Sequence, residues 1–362
     1  MSLRSRTIQT AAVTAAAVLA LTACSSGDSG GTEAADDDAF SVTLVGGVAG
    51  DLSYTDTTLA GLTALADEGI TTNHIEAPDV AQGETLLRSA VQTSPDLILS
   101  ITLPLDTLIS IAEQYPDQQF ISPDASDEGD ELPANLSAYQ INVHEGSFLA
   151  GLVAGTMTES KVVGAVLGGD APGLNQFGYA YKQGVLAACS DCTVNLAYLN
   201  FEFNNPDVGK ATADDLASDG ADVIFQVAGG SGIGVIEAAE EGGFYAIGVD
   251  SNQDDVAPGT VITSVMKRVD QTVQLAAEAA EAGTVAPGFT KVGLAEGTTG
   301  LSWDEGIDST TFVDNADAAA VTKAEAAQAL VEEYRAQILD GSYEVCDALN
   351  EPDSAACTAV AP

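Results

Sequence analysis

From Phe40 onward the chain alternates short β-rich runs with amphipathic segments, and no other feature limits its fold as much. Ser41 to Val45 reads as a strand closed by Gly46-Gly47, and Thr57–Asp67 sets Leu59, Leu62, Leu65 and Ala66 on one helical face. The pattern predicts further strands at 73–76, 97–101, 119–122 and 136–142, with helices at 82–92 and 105–114 between them. A second series predicts helices at 145–157, 174–188, 206–218 and 232–241, alternating with strands at 162–167, 194–199, 222–225 and 244–249. A strand at 261–265, a helix at 269–282, a strand near 289–294 and a long helix at 318–339 complete it. Repeated β-α units with short loops make parallel sheets covered by helices on both faces. The expected class is α/β with two lobes: 40–142 plus about 268–292, and 143–267 plus about 293–345. Ligands of such sheets sit beyond the carboxyl ends of the strands, so two facing lobes would enclose a small molecule at their common edge.

Charge excludes other classes. The 362 residues carry 54 acids against 11 Lys and Arg, a formal charge of −43. Binding a phosphate backbone requires clustered bases, so nucleic acid is excluded as the main partner. An anionic membrane surface would repel the body as well.

The N-terminus reads as an export signal. Arg4 and Arg6 form a positive start, Ile8–Leu21 a short apolar run, and Leu21-Thr22-Ala23-Cys24 resembles a bacterial lipobox. Residues 1–23 are expected to be removed and Cys24 to be lipidated, although a signal cut at a small residue would leave Cys24 incidental. The stretch 25–39 holds five acids, three glycines, three serines and no base, and reads as a flexible tether. The body is then expected at the outer face of the cell membrane, held through lipid only. Cys189, Cys192, Cys346 and Cys357 remain, an even number in an exported chain. Sequence proximity favours Cys189–Cys192 and Cys346–Cys357, the second in a disulfide-bearing tail at 346–362. Cys189-Ser-Asp-Cys192 also has the spacing of a redox pair or half a zinc site, but no second pair follows at ligand spacing.

No catalytic signature is present. In Gly229–Gly234 the last glycine of a dinucleotide loop is replaced by Val235, and Ile233 replaces the closing glycine of a nucleophile elbow. There is no phosphate-loop Gly-Lys-Ser/Thr and no His-Glu-x-x-His. The expectation is therefore a binding protein without cofactor or metal. Gly229 lies where main-chain N–H groups can approach a ligand, or simply where a tight connection is needed.

Polar and aromatic residues cluster after the predicted strands: Gly50–Asp56, Ile121–Asp124, Gly168–Phe177, Phe201–Pro206, Ala246–Asp250 and Thr263–Lys267. With Glu145–Gly151, Gly220–Phe225, Gly229–Gly234 and Ile338–Val345, their order and spacing resemble the basic membrane protein family of PnrA-like substrate-binding lipoproteins, over roughly 42–345. The resemblance implies a two-lobed, periplasmic-binding-protein-like fold that delivers nucleosides, purines favoured, to an ABC permease. It implies that Tyr54 stacks on the base beside Thr55, with Asp51 in the same motif, and that Asp124 reads base N–H groups. Phe177 and Phe203 would be aromatic walls, and Asp250 and Lys267 would hold the ribose hydroxyls. Asp124 also stands among Asp127, Glu128 and Asp130, as a solvated loop acid would, and Phe203 also suits a core position. The chain departs from the family's usual Phe-Asn at Tyr54-Thr55, and from its Asp at Asn205. A receptor for a sugar or another small polar solute, or an exported α/β hydrolase, remains the alternative.

Overall fold

The computed structural model describes residues 39–101, 103–125 and 131–361; the predicted signal, Cys24 and nearly all of the tether lie outside them, as do Asp127, Glu128 and Asp130. Two six-stranded sheets organise the rest. The first contains β1 (Ser41–Val45), β2 (Thr71–Ile75), β3 (Leu97–Ser100), β4 (Gln119–Ser122) and β5 (Leu136–Ile141). The second contains β6 (Val162–Leu167), β7 (Thr193–Tyr198), β8 (Val223–Val227), β9 (Tyr245–Asp250) and β10 (Val261–Lys267). Later in the chain, β11 (Gly288–Val292) returns to the first sheet and β12 (Thr299–Leu301) to the second. Among the described residues these strands pair in parallel, except β10 with β12.

The strand orders explain where a site can form. The first sheet runs β11-β5-β4-β3-β1-β2, and the second runs β12-β10-β9-β8-β6-β7. Each order reverses next to its first strand, so the crossovers leave in opposite directions from β1 and β3, and from β6 and β8. That divergence opens a crevice beyond the strand ends, as in other doubly wound sheets. Central strands β3 and β8 are buried along their whole length, while edge strands β2 and β7 are not.

Helices fill the crossovers: α1 (Tyr54–Asp67), α2 (Val80–Val91), α3 (Leu105–Gln114), α4 (Val143–Met157), α5 (Pro172–Ala188), α6 (Pro206–Ser218) and α7 (Gly230–Gly242). After β10 come α8 (Val269–Glu281), the short α9 (Thr311–Asn315), α10 (Ala318–Leu339) and α11 (Ala355–Thr358). Helix α4 is apolar almost all round because it lies inside the second layer, against α5 and α10. Gly151 allows this contact: a Cβ there would sit 2.1 Å from the Tyr181 carbonyl oxygen of α5. One core cluster runs from Val42, Leu44 and Leu99 of the first sheet to Val163, Leu167 and Phe225 of the second. The expected architecture, two parallel-dominated sheets flanked by helices, is the observed one.

Disulfides join Cys189 to Cys192 and Cys346 to Cys357. The second holds a tail in which Cys346, Ala348, Cys357 and Val360 pack against Tyr179 and Leu186 of α5. Asp347 of this tail accepts a hydrogen bond from Gln176 Nε2 at 2.6 Å and lies 4.0 Å from His144 Nδ1.

Candidate ligand cleft

The site is built around one ammonium group. Lys267 is the last residue of β10, and its Nζ donates to Asp124 Oδ2 at 2.5 Å. Asp124 follows β4 of the first sheet, so this ion pair joins the two lobes. Both side chains are largely buried, 13 % and 8 % exposed, and the pair is correspondingly shielded from water. The same Nζ lies 4.9 Å from the centroid of the Tyr54 ring and 5.9 Å from that of Phe177. Both distances suit a cation over an aromatic face. Tyr54 opens α1 in the first lobe, and Phe177 sits in the second turn of α5 in the other.

Asp250 ends β9 with φ of 66°, a left-handed conformation that turns the chain back into the cleft. Its carboxylate accepts a hydrogen bond from Ser53 Oγ, across the lobes. Burial raises its pKa above the usual carboxylate range, against the opposing effects of Lys267 and the Ser53 hydrogen bond. Burial likewise pushes the Tyr54 phenol well above its ordinary value, and the charges of Asp124, Asp250 and Asp51 push it further. The phenol therefore stays protonated. Tyr54, Asp124, Phe177, Asp250 and Lys267 thus meet in one place, although they come from five separate segments.

The remaining residues singled out in the sequence stand differently. Asp51 accepts from the backbone N–H groups of Ser53, Thr55 and Asp56 at 3.0, 2.8 and 3.1 Å, and so satisfies the open amides at the start of α1. The Thr55 side chain is buried against Gly47, where an added methyl would overlap it. Phe203 lies over Gly168, since a Cβ at that glycine would fall 2.1 Å from the ring. Gly229, with φ of 55°, makes the turn from β8 into α7 beside it. Phe203 and Gly229 therefore make a second corner with Gly168, in the loops that follow β6, β7 and β8.

The resemblance assigns Asp124 to the base and Lys267 to the ribose; in the structure the two side chains are paired directly. The reason is electrostatic: a single ammonium is shared among buried carboxylates, and close pairing offsets the cost of removing both charges from water.

The sequence reading missed the inter-lobe contacts around Leu52. Its carbonyl accepts from Ser251 Oγ at 2.9 Å and from Gln253 Nε2 at 3.0 Å. Gln253 is itself fixed by Gln226 Nε2 and the Val249 N–H, both donating to its Oε1. Ser53 stands just before α1, where a serine usually caps, but its hydroxyl bonds Asp250 instead. Among the described residues no three His, Cys, Asp or Glu side chains group as a metal site, and no helix is long and apolar enough to cross a membrane.

Comparison with known proteins agrees with this arrangement. Residues 40–328 match the family model described as ABC transporter substrate-binding protein, PnrA-like. The CD4+ T-cell-stimulating antigen of Listeria monocytogenes is 32% identical over 293 residues, 75% of this chain and 76% of that protein. Basic membrane protein D of Borreliella burgdorferi is 38% identical over 183 residues, 49% and 53% of the two chains. Among solved structures, the ABC transporter solute-binding protein from Aeropyrum pernix superposes with a TM-score of 0.72 at 28% identity, covering 84% of this chain and 92% of that one.

Proposed function

This chain belongs to the PnrA-like family of ABC transporter substrate-binding proteins, and from that premise we propose that it captures a nucleoside, purine favoured, in the cleft around Lys267. Membership itself implies a small-molecule ligand and a permease partner. The observation that carries the finer reading is the meeting of two aromatic rings, two carboxylates and one ammonium at the junction of the lobes. A flat heterocycle gains from stacking on Tyr54 and Phe177, while carboxylates accept from N–H edges and from vicinal hydroxyls.

Lys267 has to change partner for this ligand to enter. Its ammonium now lies over the Tyr54 ring, the face that a base would cover. Moving towards Asp250 would place it on the sugar hydroxyls and return Asp124 to the base. Closure then requires no covalent step, only burial between the lobes. The lipid anchor at Cys24 belongs to the same reading: it would keep the receptor beside its permease, and Cys24→Ser should release it to the medium or leave it unprocessed.

The test is a thermal-shift panel of nucleosides, free bases and sugars at several salt concentrations, followed by recovery of the ligand. Stabilisation by nucleosides, recovered intact, is expected. Stabilisation by sugars alone would replace this reading with a sugar receptor, and recovery of separate base and sugar would replace it with a hydrolase.

A further inference from the structure

Two fully buried glutamines stand outside the Lys267 cluster, Gln226 in β8 and Gln253 just past β9, and their hydrogen bonds all run one way. The Ala228 N–H donates to Gln226 Oε1 at 3.2 Å, and the Val249 N–H donates to Gln253 Oε1 at 3.0 Å. A backbone N–H can only donate, so both amide oxygens are fixed and both amide nitrogens point onward. Gln226 Nε2 then donates to Gln253 Oε1 at 2.5 Å, and Gln253 Nε2 donates to the Leu52 carbonyl of the first lobe at 3.0 Å. That carbonyl also accepts from Ser251 Oγ at 2.9 Å. Leu52 itself has a φ of 50°, a left-handed conformation rare for a bulky side chain, and it is half-exposed. Burial of the leucine therefore does not account for the conformation, whereas the two donors from the other lobe do.

Building on the nucleoside reading above, we propose that Gln253, oriented by Gln226, is a latch between the lobes that sets how slowly a bound ligand is released. Leu52 directly precedes Ser53, whose hydroxyl bonds Asp250, and Tyr54, whose ring lies beside Lys267. Gln253 is thus a positioning residue: it acts on the ligand through the backbone that carries Ser53 and Tyr54. A contact made only between closed lobes is absent when the ligand first arrives. It lengthens residence and leaves association unaltered.

Surface plasmon resonance on the full chain, with guanosine and adenosine as probes, separates the two rates. Gln253→Glu keeps an oxygen for the Val249 and Gln226 donors but turns a second oxygen towards the Leu52 carbonyl in place of the N–H. Release should become about tenfold faster, the scale of one hydrogen bond, with association changed by less than about twofold. Ser251→Ala removes the other donor from a half-exposed position and should speed release about threefold. Ser251→Thr, which keeps the hydroxyl, should restore slow release. Should Gln253→Glu fail to fold, the two Ser251 variants decide alone. Unchanged release in the variants that lose a donor would overturn the proposal. Slower association with unchanged release would also overturn it, because the contact would then shape the open site. If wild type binds neither probe, the nucleoside reading itself fails and takes this proposal with it.

Discussion

The Lys267 cluster and the Phe203 corner are both made by residues that follow strands, yet they are held in opposite ways. Lys267, Asp250 and Phe177 of the second lobe meet Tyr54, Asp124 and Ser53 of the first. At the other corner Phe203 rests on Gly168, and Ser231 ties the loop to α7 by donating its N–H to the Phe203 carbonyl and its Oγ–H to that of Glu202. Every partner there belongs to the second lobe. A group whose partners lie across the cleft exchanges them when the lobes separate, whereas one satisfied within its own lobe keeps them. Ligand binding should therefore be sensitive at the first corner, and stability alone at places of the second kind.

Lys267→Met gives the largest effect expected from this contrast. It leaves Asp124 without its ion-pair partner and Asp250 without its nearby cation, both about nine-tenths buried. Removing one member of a buried pair costs about 3–5 kcal/mol. Urea unfolding at neutral pH should show that loss, and part of it should return in acid, where Asp250, whose pKa burial raises, takes up a proton. A loss below 1 kcal/mol would mean that the pair is open to water and does not join the lobes.

His144 tests a buried group away from the Lys267 cluster, acted on by Asp347 of the tail and Lys291 of β11 in the first sheet. Burial lowers its pKa from the ordinary 6.5 to about 4, against the opposing charge of Asp347 and with help from Lys291. Between those values the unfolded chain binds a proton that the folded one does not, so stability falls as pH drops from 6.5 towards 4. The shift corresponds to roughly 3 kcal/mol over that window. His144→Gln should lose less stability than wild type between pH 7.5 and 4.5 while binding ligand equally at pH 7.5. Parallel stability curves for the two proteins would show that the imidazole is protonated in the fold.

The same distinction between local and cross-lobe partners separates what the sequence makes legible from what it does not. Helices α3, α6 and α10 and strands β4 and β6 are read to the residue, because apolar periodicity and the loop residues that bound them are local signals. Helix α1 begins three residues before its predicted start, since Asp51 satisfies amides that the apolar pattern does not include. Strand β12 was missed: Thr299-Gly-Leu301 is too short to show alternation and exists because β10 offers it an edge. In the cleft, Tyr54, Phe177, Asp250 and Lys267 were accessible as polar or aromatic residues after strands. Their grouping around Lys267, and the roles of Ser53 and Gln253, depend on atoms two hundred residues apart or nearly so.

Asp250 is expected to show an intermediate effect, and it sharpens the contrast on the ligand side. One of its oxygens accepts from Ser53, which leaves the other for a hydroxyl of the ligand. Asp250→Ala should cost about 1–3 kcal/mol in binding a nucleoside, or ten- to hundredfold in affinity. Its 2′,3′-dideoxy analogue should lose much less, since it has no diol to satisfy the carboxylate. Equal losses measured by calorimetry would assign Asp250 to closing the lobes through Ser53 and not to the sugar.

The smallest effect belongs to the Phe203 corner, and it is the one that can break the comparison. Phe203 is half-buried, with its ring over Gly168 and its neighbour Phe201 exposed beside it at 57 %. Phe203→Leu keeps an apolar side chain over the glycine and removes the ring. If this corner is maintained only within its own lobe, nucleoside affinity should change less than threefold, below about 0.7 kcal/mol. Phe177→Leu, made in parallel, removes a ring that lies 5.9 Å from the ammonium that pairs across the cleft with Asp124, and should cost about tenfold, within the 0.5–1.5 kcal/mol of an aromatic pair. Calorimetry on both variants measures the difference. Equal losses would place Phe203 on the ligand as well, and the division into a cross-lobe corner and a one-lobe corner would no longer describe the cleft.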